Sequence, residues 1–322
     1  MTAGGGVITL GETMALFRAA SLGGIDLVSD FQLGIGGAES NVAVGLARLG
    51  TPVTWLGRVG SDSLGRRITR ELRAEGIDVR AIVDESAATG LMIKEQRTSD
   101  ATRVLYYRAG SAGSRLAPQD IAEVDIRRAE ILHVTGITPA LSESSAAAVE
   151  AAIDVAVAAG VAVSFDVNHR SALWAGRDAS PAYRSVAARS SIVFAGEEEA
   201  GLLVPKFGES GDERPLALAR AISELGPREV IIKRGKLGAF ALVDGVAFAR
   251  KAISIRAVDT VGAGDAFVAG YLSERLAGLT VAERLATAVR TGAFACLSHG
   301  DWEGYPRHDE LGLLEAIDPV TR

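Results

Sequence analysis

The run Asp259-Thr260-Val261-Gly262-Ala263-Gly264-Asp265-Ala266-Phe267 carries the densest chemistry in the chain, and a helical pattern over 268–276 follows it at once. Glycines just before a helix let backbone N–H groups converge on an anion, and the helix N-terminus adds roughly half a positive charge there. An acid inside an anion site needs a reason. Asp265 would repel a bound phosphate unless it takes a proton from an attacking hydroxyl as the phosphoryl group arrives. The other reading is a Gly-rich turn with Asp265 as a helix cap, and spacing alone leaves both open. A dinucleotide fingerprint fits worse, because Phe267 stands where its third glycine belongs and the run lies late in the chain. The sequence has no Walker-type Gly-Lys-Ser/Thr loop.

Such a site must be held by regular elements. From residue 131 onward, short β-branched runs alternate with longer helical patterns: strands at 131–134, 161–166, 192–194 and 230–233, helices at 142–159 and 215–225. Ser142 followed by Glu143 reads as a helix start and Gly160 as its stop. The alternation predicts an α/β fold with a largely parallel sheet and helices on both faces. Four short strands lack helices between them: 13–19, 31–35, 91–95 and 104–108. They are expected to pair as a small separate sheet that covers a cleft and excludes water, with the polar stretch 96–103 as a hairpin loop.

The 322 residues are 48% hydrophobic and 23% charged, which excludes disorder and gives enough apolar surface for a core without disulfides. The single cysteine, Cys296, has no partner and reads as core, and the cysteine-poor composition suits a reducing cytoplasm. The first 17 residues lack the basic and apolar regions of a signal peptide, so export is not expected. The most apolar long segment, 146–165, is broken by Glu150, Asp154 and Gly160, which argues against a membrane span. With 34 Lys+Arg against 40 Asp+Glu and the basic residues scattered, nucleic acid is not an expected partner.

The Asp-Thr-Val-Gly-Ala-Gly-Asp run resembles the C-terminal signature of the ribokinase-like (PfkB) carbohydrate kinases. Their N-terminal signature also has a counterpart, Gly36-Gly37-Ala38-Glu39-Ser40-Asn41-Val42-Ala43, continuing to Leu56-Gly57-Arg58-Val59-Gly60. The resemblance spans nearly the whole chain and implies a single ribokinase-like catalytic domain: a three-layer α/β/α sandwich with a small β lid drawn from about 13–36 and 90–109. It implies that Asp265 is the catalytic base and that Gly262, Ala263 and Gly264 form the anion hole for the transferring γ-phosphoryl group. Gly36, Gly37 and Asn41 match positions that hold sugar hydroxyls. Lys233, Gly235 and Gly238 resemble the strand and turn beside ATP. Asp259 resembles a ligand of the monovalent cation, K⁺, that many members bind, with loop 295–304 expected to add carbonyls. Where the family usually carries Asn-x-x-Glu near its Mg²⁺ site, this chain has Gly196-Glu197-Glu198-Glu199, so Glu199 is kept and the Asn is lost.

Three further stretches, beginning at Tyr106, His133 and Asp166, resemble the 2-keto-3-deoxygluconate kinases within that family, as does Gly11-Glu12. A substrate with a carboxylate and a ketone needs a cation and hydroxyl donors, and Arg108, Arg170 and Tyr106 supply both, with Glu12 beside them. Met92 departs from this branch, standing where an aromatic donor is expected. His169, Trp174 and Trp302 read as packing residues. The expected activity is ATP-dependent phosphorylation of the C6 hydroxyl of 2-keto-3-deoxygluconate, in a homo-oligomer that pairs through the lid. A fructokinase-like ketose kinase and a sugar- or nucleotide-binding regulator without turnover are the alternatives.

Overall fold

In the computed structural model, which describes residues 5–98, 101–204, 211 and 213–315, the β-branched runs become thirteen strands. In chain order they are β1 (Val7–Leu10), β2 (Met14–Ala19), β3 (Phe31–Gly36), β4 (Val53–Gly60), β5 (Asp78–Asp84), β6 (Leu91–Thr98), β7 (Ala101–Tyr107), β8 (Ile131–Thr135), β9 (Ala162–Asp166), β10 (Ile192–Gly196), β11 (Glu229–Lys233), β12 (Ala239–Val243) and β13 (Val246–Arg250). Nine form one sheet in the order β13-β12-β11-β10-β9-β8-β1-β4-β5, and four form a second in the order β3-β2-β6-β7.

The large sheet is parallel from β5 to β11 and antiparallel only at its β12–β13 edge. A parallel sheet covered on both faces needs apolar side chains on both, so its strands read as continuous hydrophobic runs. β8 illustrates this: Leu132 and Val134 join the core under the helix Glu143–Ala159, while Ile131 joins the opposite core, under the helix Ala263–Leu276. Ser142 caps the first of these helices by accepting from the Ser145 N–H at 3.0 Å, and Gly160 ends it at φ 73°.

The sequence reading placed β8 to β11 and the four strands of the small sheet, and the helix expected at 215–225 runs Arg214–Ser223. The hairpin loop expected over 96–103 is shorter than that. β6 reaches Thr98 and β7 starts at Ala101, and residues 99–100 lie outside the described residues. The β12–β13 hairpin went unread, although Asp244-Gly245 has the two positive-φ positions that a tight two-residue turn between strands requires.

The small sheet buries Met14, Leu16 and Met92 with Val104 packed on them. It stands at the C-terminal ends of the parallel strands, where α/β sheets place their ligands. Beneath it, the helix Ala38–Arg48 carries Glu39, whose Oε1 accepts from the hydroxyls of Thr135 and Thr138, each at 2.7 Å. Burial pushes the Glu39 carboxyl up to about 7 against those two hydrogen bonds. Since the folded value lies above the unfolded one, Glu39 contributes stability that is full below 4.5 and lost as pH rises through about 7. Glu39→Gln keeps an acceptor oxygen and removes the titration. Denaturation midpoints should therefore fall less from about pH 5 to about pH 8 in the variant than in the wild type, and parallel curves would contradict this account.

Candidate active site

Two cavities meet at the start of the helix Ala263–Leu276. One, of about 860 Å³, lies under the small sheet and is lined by Asn168, Arg170, Glu199, Gly262, Asp265 and Asp301 together with Met92, Lys94 and Tyr106 from the sheet. The other, of about 540 Å³, is mostly apolar and is lined by Gly235, Gly238, Ile253, Phe267, Val289 and Cys296. Lys233, Thr260 and Gly264 border both. Cys296 is thus half-buried on a cavity wall, and the expectation of a core cysteine is corrected.

Asp265 is not a helix cap. Gly262 holds the N-cap position at φ 75°, and only glycine fits there, because a Cβ would stand 1.8 Å from the Asp301 carbonyl oxygen. The first helical hydrogen bond runs from the Ala266 N–H to the Gly262 carbonyl, and the Ala263 N–H, expected in the anion hole, donates to the Thr260 carbonyl at 3.4 Å, so the N–H groups of Gly264 and Asp265 precede the helical ladder and can face an anion. The Asp265 carboxylate is held from both sides: Asn41 donates Nδ2–H to Oδ2 at 2.8 Å, and Asn168 donates to Oδ1 at 3.2 Å. Burial pushes its carboxyl above the usual range, and Asn41, Arg170, Lys233 and Asn168 hold it back. Asn41, expected to hold sugar hydroxyls, points its amide at the base instead; its Oδ1 accepts from the Gly37 N–H at 3.4 Å.

Lys233, at the end of β11, donates to both oxygens of Asp166 at 2.7 Å. Burial pushes Asp166 up to about 6, which leaves it largely ionised at neutral pH opposite the ammonium. A Cβ on Gly264 would lie 3.5 Å from Lys233 Nζ, so this charge sits beside the helix N-terminus. Glu199 accepts from the N–H groups of His169 at 2.9 Å and Gly196 at 2.7 Å. Burial alone would raise its carboxyl, but Lys233 and those two N–H groups outweigh burial and leave it below the usual value. Gly196, at the lost Asn, thus contributes a backbone donor to Glu199. An ionised oxygen donor facing a cavity of that size fits Mg²⁺, which keeps most of its waters and needs only one or two protein carboxylates.

Under the small sheet the arrangement differs from the sequence expectation at Glu12 and Arg108. Both were expected to bind substrate, and they bind each other. Arg108 Nε donates to Glu12 Oε2 at 2.7 Å, Ser111 donates to Oε1 at 2.6 Å, and neither residue lines the cavity. A buried carboxylate needs a partner, and this arginine is the one within reach. Tyr106 does line the cavity, with its ring 5.6 Å from the Arg108 guanidinium carbon. Arg170 lines it too, is exposed, and is in no ion pair among the described residues. Gly36 backs the cavity wall, where a Cβ would meet Asp301 Oδ2 at 2.2 Å and Met92 Cε at 2.5 Å, and Gly37 starts the helix Ala38–Arg48. His169 and Trp174 pack on Tyr183, and Trp302 packs under Arg48, as expected of structural residues.

Asp259 also departs from expectation. Its Oδ2 is 2.5 Å from Lys94 Nζ, and its Oδ1 accepts from the Val261 N–H at 3.2 Å. Four site residues were not singled out from sequence: Lys94, Asp166, Asn168 and Asp301. Burial pushes Asp301 up to about 7 while Lys94 holds it down. Lys94 had a signal, since it falls two residues after Met92, on the buried face of a short apolar strand. Asn168 falls inside the stretch that begins at Asp166, but its role follows from a left-handed backbone (φ 36°) that turns its amide toward Asp265.

The profile of pfkB family carbohydrate kinases matches residues 6–307. A 2-dehydro-3-deoxygluconokinase of Bacillus subtilis is 36% identical over 308 residues, 94% of this chain and 93% of its own. A solved 2-dehydro-3-deoxygluconokinase of Thermotoga maritima superposes with a TM-score of 0.88 at 25% identity, covering 96% of this chain and 97% of that one. An Escherichia coli protein assigned as a ribokinase II, solved with ATP and Mg²⁺, superposes with a TM-score of 0.88 at 27% identity, over 96% of this chain and 98% of its own. No helix among the described residues is long and apolar enough to cross a membrane. A family model that spans nearly the whole chain and a relative 36% identical over nearly its full length show that the chain belongs to the pfkB family of carbohydrate kinases, phosphotransferases with an alcohol acceptor.

Proposed function

We propose that this kinase transfers the γ-phosphoryl group of ATP to the C6 hydroxyl of 2-keto-3-deoxygluconate. The observation that carries the reading is the junction of the two cavities at Gly264, with Asp265 on the polar side and beside it an exposed Arg170 that is in no ion pair among the described residues. The apolar cavity suits an adenine between Ile253, Phe267 and Val289, with Gly235 and Gly238 on its wall. The polar cavity suits the sugar acid, its carboxylate toward Arg170 and its ketone and hydroxyls toward Tyr106 and Asp301.

In the reaction, Asp265 accepts the hydroxyl proton as that oxygen attacks phosphorus in line, and Asn41 and Asn168 keep the carboxylate aimed. The Gly264 N–H at the helix start receives the charge that develops on the transferring group, with the Lys233 ammonium beside it. Glu199 would help to hold Mg²⁺, which would supply positive charge against the phosphates. The small sheet excludes water that would otherwise compete with the sugar hydroxyl.

One observation favours a second reading, a neutral ketose kinase: Arg108 is neutralised by Glu12, which leaves Arg170 as the cation available to a carboxylate on this wall. ADP release measured with ATP, Mg²⁺ and a panel of 2-keto-3-deoxygluconate, its galactonate epimer and fructose decides between them. Highest kcat/KM for a sugar acid supports the proposal; highest for fructose overturns the substrate while leaving the kinase.

A further inference from the structure

The family resemblance makes Asp259 a ligand of a monovalent cation, and the residues around Asp259 do not fit a free ion. Both carboxylate oxygens are engaged, one by the Lys94 ammonium at 2.5 Å and the other by the Val261 N–H at 3.2 Å. The Lys94 and Asp259 side chains are both under a tenth exposed, and Lys94 Nζ is also 4.0 Å from Asp301 Oδ1. The neighbouring loop was expected to supply carbonyls, but the Cys296 carbonyl accepts from the N–H groups of Val258 at 2.7 Å and Asp259 at 3.4 Å. A K⁺ placed against Asp259 would lie next to a fixed positive charge in a poorly solvated site, where like charges repel strongly.

An ammonium is itself a monovalent cation that takes oxygen donors. We propose that Lys94 is the built-in cation of the anion hole, holding Asp259 and with it residues 259–265 in place of a free K⁺, and so tying that loop to the small sheet. The geometry makes it a positioning residue: Lys94 reaches Asp259, and the chain runs from Asp259 through Gly262 into the N–H groups that face the transferring phosphoryl group. β6, which carries Lys94, pairs with β2 and β7, and Leu16, Met92 and Tyr106 on these three strands line the same cavity. Order in the anion hole thereby depends on the sheet that covers the sugar. Activation by added K⁺ is not expected, which corrects the expectation taken from the family.

The inference rests on the kinase reading, and two readouts separate its failure from a failure of that reading. The first is ADP release at constant ionic strength in potassium, sodium or tetramethylammonium chloride. The second is the melting temperature in the same salts, which needs no turnover. Wild type should give equal rates and equal melting temperatures in all three. In Lys94→Ala, kcat in tetramethylammonium should fall by about 10²-fold, the scale of loss when reacting groups are misplaced by an ångström or so. Potassium should then restore much of that loss and raise the melting temperature, because the vacated space offers Asp259 to an ion that binds the folded state. Should the alanine variant not fold, Lys94→Met keeps the packing without the charge and should lose kcat while its KM for ATP stays near that of the wild type. Potassium stimulation of wild type, wild-type kcat in Lys94→Met, or an alanine variant equally impaired and equally stable in every salt would each overturn the proposal.

Discussion

Replacing Asp265 by Asn should lower kcat by at least about 10²-fold, the lower range for a positioned general base, while leaving ATP affinity nearly intact. The substitution is close to isosteric, so the helix start and the packing around Gly262 persist. Its amide can still meet Asn41 or Asn168 through its oxygen, but it cannot take the hydroxyl proton. ATP affinity should hold because the apolar cavity and Lys233 are untouched, and removing a negative charge beside the phosphates can only help binding. The pH profile adds a second signature. Burial raises the Asp265 carboxyl, and the base must be ionised to act, so wild-type kcat/KM should fall as pH drops through that raised value. The variant should lack this acid limb. Titration calorimetry with ATP and steady-state rates across pH test both points, and near-normal turnover in Asp265→Asn would remove it from the base role.

The second large effect is expected at Arg170. If its guanidinium meets the substrate carboxylate, Arg170→Ala should raise KM for 2-keto-3-deoxygluconate by about 10-fold, the low end for losing a charged hydrogen-bonding partner because the residue is exposed. KM for fructose, which has no carboxylate, should change little, so the preference for the acid narrows. Arg108 provides the contrast. Its partner is the buried Glu12, so Arg108→Ala strands that carboxylate and should act mainly through stability, lowering the melting temperature and affecting both sugars alike. Specificity constants for two sugars in the two variants separate the roles. Equal losses for both sugars in Arg170→Ala would show that it braces a loop.

The sequence by itself determined the fold class and the family, and it marked the central run as a candidate anion site. Alternating β-branched and helical segments specify a parallel sheet through side-chain periodicity, which is local, and Gly262 and Gly264 before a helix mark an anion site through backbone freedom, which is also local. The capping and base readings of Asp265 could not be separated at that level: the cap falls to Gly262 only in the folded backbone, and the side chains that hold the Asp265 carboxylate, Asn41 and Asn168, lie 224 and 97 residues away. The same distance effect governs the charges. An Arg or an Asp in sequence is a candidate ligand until its counter-ion is known. Arg108 meets Glu12 across 96 residues, and Asp259 meets Lys94 across 165. In both pairings a group expected to bind a ligand meets an opposite charge of the chain itself. Only the tertiary structure could decide this, since a buried charge takes whichever opposite charge the fold brings beside it, and that proximity is set by packing rather than by residue type or spacing.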